Sequence, residues 1–199
     1  MPHKLPVGKS TSYGIGSISQ RPALAQLVGQ IANDWNYFER IMEELYARLM
    51  GRMYIATYLP KGTMVSHPVA FQIFEELESF RAKQNLVEAL IRWALIKCPE
   101  DFDAYRKQTE KPIKSACIAR NNAVHTLWGL CDEYPDALIS QPTFGDRLVW
   151  RENDFKEELK KVREGLTAFT QATAKLDEFI RGDIASPCGV NVTNEKDGL

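Results

Sequence analysis

The sequence predicts an all-α protein, an antiparallel bundle of four long helices with an irregular loop or small hairpin before the last helix. Apolar residues recur at spacings of three and four along long segments, helix start and stop signals bracket those segments, and strands do not alternate with helices. A chain of 199 residues can bury one sizeable core. We therefore expect one bundle domain over residues 21–182, between a flexible N-terminal segment, 1–20, and a flexible C-terminal tail, 183–199.

The first predicted helix begins at Pro22, which suits a first turn because proline lacks an N–H that would remain unbonded there. Gly51 suits its end. Its apolar positions are Leu24, Leu27, Val28, Ile31, Trp35, Phe38, Met42, Leu45 and Leu49. The second predicted helix runs over residues 68–97 and stops before Pro99, since the residue before a proline disfavours helical backbone angles.

The third predicted helix spans residues 102–131, and Pro112 either kinks it or marks a new start. The fourth spans residues 153–180, with a pair resembling a capping box at Asp154 and Glu157. Gly182 suits its end. Between these helices, Pro135, Pro142 and Gly145 separate short apolar runs, which predicts the irregular loop or small hairpin.

Composition excludes several classes of protein. Lys and Arg total 25 against 26 Asp and Glu, so no global basic field draws the chain to nucleic acid or anionic lipid. The four cysteines form no Cys-x-x-Cys pair, and the first residues lack the pattern of a signal peptide. No apolar stretch approaches the roughly 20 residues of a membrane span. These features predict a reduced cytoplasmic protein with no membrane partner.

The residues available for a metal site are few. The histidines are His3, His67 and His125, and neither His67 nor His125 has a Glu three residues before it, as a di-metal carboxylate bundle requires. A zinc site is equally hard to assemble without paired cysteines. We therefore predict no metal and no cofactor.

The six residues from Arg120 to His125 concentrate the candidate chemistry. Apolar residues recur around them at helical spacing, at Ile113, Ala116, Cys117, Val124, Leu127, Trp128 and Cys131. Arg120 occupies the position where this stripe should continue. Because burial of an unpaired guanidinium is costly, we expect Arg120 to face a paired carboxylate, a subunit interface or a wet cleft.

A cationic stripe leads to the same residues. At about 100° per residue, Asn121 and His125 lie about 40° apart, and the same face meets Lys114, Lys111 and Lys107 if Pro112 does not break the register. Residues 106–120 carry five basic side chains against one acidic side chain. Such a stripe suits an RNA phosphate backbone, although a solvated helix face explains it too.

The residue types indicate acid–base chemistry on phosphate. A histidine exchanges a proton near neutral pH, and an arginine presents a fork of donors to phosphoryl oxygens. Together they suffice for RNA cleavage without a metal, because the RNA's own 2′-OH is the nucleophile.

The pattern Arg-polar-x-x-x-His on a helix of an all-α bundle resembles the HEPN superfamily, many members of which are ribonucleases. The resemblance covers the motif and the four-helix arrangement, roughly residues 22–180. It implies Arg120 and His125 as catalytic residues and Asn121 as their polar support, in a cleft between the subunits of a homodimer.

The resemblance also implies an acidic residue from another helix close to the motif. Glu39 is the candidate, and Glu43 and Glu44 remain alternatives because no spacing decides between them. HEPN proteins commonly act in toxin–antitoxin, antiviral or RNA-processing systems, so a cognate antitoxin is an implied partner.

Two other interpretations remain open. The chain can be a non-catalytic helical module that binds RNA or a partner protein, with Arg120 in a structural salt bridge. It can also be a helical binder of small molecules, although no convergent polar pocket is visible in the sequence.

Overall fold

The structure is a computed structural model that describes residues 1–14, 16–58, 68–96, 98–141 and 145–181. The chain divides into two compact units. The first unit joins Met1–Tyr37 to Glu110–Ala168, and the second joins Phe38–Thr109 to the chain from Phe169 onward. Gly182, the predicted tail and His67 lie outside the described residues.

Helices make up most of the described chain. They are α1 Pro22–Tyr58, α2 Pro68–Glu75, α3 Phe80–Ala94, α4 Pro99–Val124 and α5 Glu152–Arg181. The strands are β1 His3–Lys4, β2 Ser12–Tyr13, β3 Leu127–Leu130, β4 Leu138–Gln141 and β5 Leu148–Trp150. The prediction of a mainly helical protein is confirmed, whereas the finer prediction of a purely all-α fold is wrong because these strands form a five-stranded sheet.

The N-terminal segment supplies both edges of this sheet. The strand order is β1-β5-β4-β3-β2, with every neighbouring pair antiparallel. His3 lies opposite Val149 at one edge, and Ser12 lies opposite Leu130 at the other. Residues 1–20, predicted as a flexible segment, thus contribute two strands to the sheet. Strands of two residues have no period of their own, so pairing with partners distant in sequence leaves no local signal.

The third predicted helix ends earlier than expected. α4 stops at Val124, and Leu127–Leu130 form β3 instead of another helical turn. Over so few residues an apolar run fits a strand as well as a helix. Packing decides for the strand, because the Trp128 ring lies 5.6 Å from Trp150 and 5.2 Å from Phe155, between ring centroids.

The first two predicted helices also change their bounds. α1 begins at Pro22 as predicted but runs through Gly51, whose cost of about 1 kcal/mol in a helix is offset by buried neighbours such as Leu49. The segment predicted as the second helix forms two helices, α2 and α3. Ser79 caps α3, its hydroxyl accepting a hydrogen bond from the N–H of Ala82 at 3.1 Å.

The last helix agrees with the prediction to within one residue at each end. In the first unit, Gly165 of α5 lies against α4, where a Cβ would stand only 2.6 Å from the Cβ of Ala116. In the second unit, Phe38 packs on Phe80 and Phe169, with ring centroids 6.1 and 5.5 Å away. Within the described chain, no helix combines the length and hydropathy that a membrane crossing needs.

Candidate functional site

The candidate site lies at the C-terminal end of α4, within the first unit. Asn121 belongs to the last turn of α4, Arg120 directly precedes that turn, and His125 follows the last residue of the helix. The backbone N–H of His125 still donates to the carbonyl of Asn121, at 3.2 Å. His125 therefore keeps the helical register and projects from the same end of α4 as the other two residues.

Two side chains terminate α4 at this point. The hydroxyl of Thr126 donates to the carbonyl of Asn122 at 2.6 Å, and the indole N–H of Trp128 donates to that of Ala123 at 3.0 Å. The last carbonyls of a helix have no partner within it, so these bonds replace those of a further turn. Since Trp128 belongs to β3, the sheet holds the helix end that carries the motif.

Arg120 contacts three residues of the first unit. Its Nη1 donates to Oδ1 of Asn121 at 3.0 Å and contacts Nε2 of His125. Its guanidinium carbon lies 5.7 Å from the ring centroid of Trp35, whose exposed fraction is 1%. Of the surroundings expected for Arg120, the paired carboxylate is not found among the described residues. Arg120 instead covers an aromatic ring and reaches its own neighbours on α4.

The contact with Arg120 favours one tautomer of His125. Guanidinium nitrogens only donate hydrogen bonds, so Nε2 of His125 must accept one with its lone pair. If Nη1 donates to Nε2, the proton of a neutral His125 ring lies on Nδ1. Within the described residues, the hydrogen bonds of the guanidinium all use Nη1, which leaves Nη2 and Nε as donors for an anion.

Exposed side chains form a continuous row along α4. From Lys114 through Ile118 and Asn121 to His125 the spacings are four, three and four residues, so each side chain stands beside the next on one face. All four residues are exposed. We call this set the α4 row.

The predicted lysine stripe extends the same pattern. Lys107, Lys111 and Lys114 are all exposed on an α4 that Pro112 does not interrupt, with Lys107 in the second unit and the other two in the first. In the part of the chain that the structure describes, these three lysines form no ion pair. Three lysines in the first half of α5 differ, because they have carboxylate partners: Lys156 with Glu152, Lys160 with Glu164 and Lys161 with Glu158.

The segment that carries the motif has only basic side chains among its charged residues. Residues 111–131 contain Lys111, Lys114 and Arg120 but no Asp or Glu, although the whole chain has a net charge of −1. Glu110 precedes Lys111 and Lys114, and no acidic residue follows them on α4. An anion approaching the α4 row meets cations and amide donors.

Glu39, the acidic residue implied by the resemblance, lies in the second unit. Its carboxylate forms an ion pair with Lys83 of α3, with Oε2 3.3 Å from Nζ. Arg120, Asn121 and His125 are thus brought together by the structure, and Glu39 is engaged by a lysine.

Sequence reasoning missed two features of the site. Trp35 was predicted only as a core residue, and nothing local links it to Arg120, which it contacts through the fold. Ile118 was not singled out, although its spacing of four from Lys114 and seven from His125 places it in the α4 row. An apolar residue on a polar face is the signal that could have identified it.

A second polar cluster ties the N-terminal segment to the turn after β3. Lys9 Nζ donates to Oε1 of Glu133 at 2.8 Å, and the Cys131 thiol donates to Oε2 at 3.2 Å. The Lys9 hydrogen bond, followed by that of Cys131, lowers the pKa of Glu133. The bond to Glu133 raises the pKa of Lys9, and burial raises the pKa of the Cys131 thiol.

No group of three or more His, Cys, Asp or Glu side chains suited to a metal ion occurs among the described residues. No protein-family model matches the chain, and neither a curated protein nor a solved structure matches it. The resemblance to the HEPN superfamily therefore depends on Arg120, Asn121 and His125 and on the predominance of helices.

Proposed function

We propose that this protein is a metal-independent endoribonuclease of the HEPN type, with Arg120 and His125 acting on one phosphodiester. The observation that carries the proposal is the contact between Arg120 Nη1 and His125 Nε2 at the exposed end of α4. A fork of donors and a proton acceptor are thereby within reach of the same phosphate group.

The reaction begins with an exchange of partners. A phosphate of the RNA takes up the donors of Arg120, which releases Nε2 of His125. Nε2 then accepts the proton of the 2′-OH, and the 2′-oxygen bonds to phosphorus as the bond to the 5′-oxygen breaks. The products are a 2′,3′-cyclic phosphate and, after protonation of the leaving oxygen, a 5′-OH. Arg120 stabilises the extra negative charge of the pentacovalent phosphate.

The leaving oxygen needs a proton donor of its own. In an in-line displacement the attacking and leaving oxygens lie on opposite sides of phosphorus, so the ring that takes the 2′ proton does not face the 5′-oxygen. His125 of a second copy can supply that proton, which is the chemical reason for including a homodimer in the proposal.

Neighbouring side chains have supporting roles. Asn121 orients Arg120 through the bond from Nη1 to its Oδ1, and Lys111 and Lys114 bind flanking phosphates. Glu39 is left out of this mechanism because its carboxylate is paired with Lys83.

The proposal is tested with purified protein and single-stranded RNA in EDTA. We expect fragments ending in 2′,3′-cyclic phosphate and 5′-OH, and a rate that falls about 10²- to 10⁴-fold in His125→Ala. His3→Ala, prepared in parallel, is the matched control, because His3 is also an exposed histidine of the first unit. Absence of cleavage, or equal rates for His125→Ala and His3→Ala, would contradict the proposal.

One observation favours the second candidate, a non-catalytic RNA-binding module. Arg120 packs over the buried ring of Trp35, which is a structural role that needs no reaction. This candidate predicts RNA binding that depends on Lys111 and Lys114 without cleavage. The same purified protein distinguishes the two, since binding in the absence of new RNA ends supports the module.

A further inference from the structure

Two large exposed apolar side chains flank His125 in the sequence. The exposed fraction is 51% for Ile118 and 56% for Leu127. Ile118 lies in the α4 row, between Lys114 one turn before it and Asn121 one turn after it. Leu127 begins β3, two residues beyond His125. Water is a poor environment for both side chains, so a ligand that covers them would gain free energy.

The surroundings of these side chains identify the chemistry of that ligand. Lys111 and Lys114 precede Ile118 without ion-pair partners among the described residues, and Arg120 keeps donors available on Nη2 and Nε. Both apolar side chains therefore belong to a segment whose charged side chains bind anions. A nucleotide combines these properties, with a charged phosphate next to a flat base of low polarity on its faces.

A second exposed apolar patch provides a contrast. Val69 and Ile73 of α2 have exposed fractions of 48% and 44%, but Glu75 and Glu76 adjoin them in sequence. Negative charge there disfavours a nucleic acid. Residues 111–131 have no acidic side chain, so charge complementarity favours RNA over other occupants at Ile118 and Leu127.

We infer that Ile118 and Leu127 form a nucleobase contact site that restricts this protein to single-stranded RNA. In a duplex the faces of the bases are stacked and unavailable, whereas an unpaired base can lay its face on apolar side chains. The inference rests on the proposed function in one respect, which is that a phosphate of the RNA binds at Arg120 and His125. The contact itself is a binding property, which is measured without cleavage.

The experiment uses a fluorescently labelled single-stranded oligonucleotide with 2′-O-methyl groups throughout, which lacks the nucleophile and cannot be cleaved. Binding is measured by anisotropy for the full-length protein, for Ile118→Ser and for Leu127→Ser. Ile73→Ser is the matched control, because it removes an apolar side chain of similar exposure outside the first unit. We expect each site variant to weaken binding about three- to tenfold and Ile73→Ser to leave it unchanged.

An abasic version of the strand separates base contact from phosphate contact. We expect the abasic and duplex versions to bind the unsubstituted protein more weakly than the normal strand does. Ile118→Ser should bind these two versions with the same affinity as the unsubstituted protein. Melting curves of the variants, which change exposed positions, should match that of the unsubstituted protein.

Three results would overturn the inference. The first is an unchanged affinity in Ile118→Ser and Leu127→Ser, and the second is that these substitutions weaken binding of the abasic strand as much as binding of the normal strand. The third is a lower oligomeric mass of Ile118→Ser in sedimentation with unchanged RNA affinity. The last result would make this face a protein contact. Base-dependent binding without cleavage would refute the nuclease and leave the nucleobase site standing, so the two failures are distinguishable.

Discussion

At the scale of single residues, Arg120 links the buried and exposed parts of the site. Its guanidinium rests on Trp35 while Nη1 reaches the exposed His125. The site is therefore assembled before any ligand arrives, and its two principal groups occupy each other. An anion can bind the available Nη2 and Nε donors of Arg120, whereas His125 can accept a proton on Nε2 only after Nη1 has left it.

The tautomer of His125 is the first prediction at this scale. Because Nε2 accepts from Arg120, nitrogen NMR should show the ring proton on Nδ1 at a pH where the ring is neutral. Arg120→Gln should move His125 toward the Nε2–H tautomer and leave the signals of His3 unchanged. An Nε2 proton in the unsubstituted protein would show that this contact does not persist in solution.

A second prediction concerns stability. Arg120→Ala should lower the free energy of unfolding by about 1 kcal/mol, because it removes a cation–π contact and uncovers Trp35. Denaturant unfolding measures the change. Lys114→Ala is the control, since Lys114 is exposed and forms no ion pair among the described residues, and it should stay within about 0.5 kcal/mol. Equal values for both variants would count against the packing role of Arg120.

At the scale of elements, the sheet holds the end of α4 that carries the motif. Trp128 bonds the carbonyl of Ala123, and Gly129 beside it allows β2 to lie close to β3. A Cβ on Gly129 would collide with the ring of Tyr13 and stand 2.9 Å from the carbonyl oxygen of Ser12. The absence of a side chain at Gly129 is thus a requirement of this strand pair.

Gly129→Ala should therefore weaken the pairing of β2 with β3. We expect a loss of about 1–3 kcal/mol in the free energy of unfolding, with faster amide exchange in residues 12–13. Gly29→Ala is the matched control because nothing lies within 4 Å of a Cβ at that position in α1. Alanine there should stabilise the helix by about 0.5–1 kcal/mol. Unaltered exchange in Gly129→Ala would contradict the close packing.

The bond between Lys9 and Glu133 predicts a pH dependence for the segment between β1 and β2. The pKa of Glu133 is lowered from its ordinary value of 4.5, so the contact stabilises the fold above that pH and is lost as pH falls through the folded-state pKa. Amide protection of residues 5–11, corrected for intrinsic exchange, should decrease as the pH falls below 4.5. Glu133→Gln should already show the lower protection at neutral pH. If Glu133→Gln has the same amide protection as the unsubstituted protein, the contact between Lys9 and Glu133 does not stabilise this segment.

At the scale of the whole molecule, the distribution of charge matters more than its sum. The net charge is −1, yet Lys156, Lys160 and Lys161 of α5 are paired with carboxylates. The lysines of the α4 row and stripe form no ion pair with any described residue. A nearly neutral protein can thus present one face to an anionic polymer. Such binding must be sensitive to salt, because each phosphate contact releases counterions.

The salt dependence of RNA binding supplies the matching prediction. Contacts from Lys111, Lys114 and Arg120 should give a slope of about −2 in a plot of log affinity against log salt concentration, from about −0.7 for each phosphate. Lys111→Gln should reduce the magnitude of that slope by about 0.7. Lys160→Gln should not change it, since Lys160 is paired with Glu164. Equal slopes for the two variants would argue against the α4 stripe as the RNA contact.

Local pattern by itself determined the helices and the composition of the motif. The period of apolar residues predicted α5 to within a residue at each end and the start of α1 at Pro22, because a long amphipathic helix repeats its signal every turn. It also placed Asn121, His125 and the three lysines on one face of α4, where the structure finds them exposed.

Only the tertiary structure decided which distant residues meet. β1 and β2 are too short to have a period, and their pairing depends on strands far along the chain. Arg120 breaks an apolar stripe in the sequence, but its resting place over Trp35 depends on how α1 packs in the first unit. The engagement of Glu39 by Lys83 is of the same kind. Such contacts arise from packing between elements, which no spacing within one element encodes.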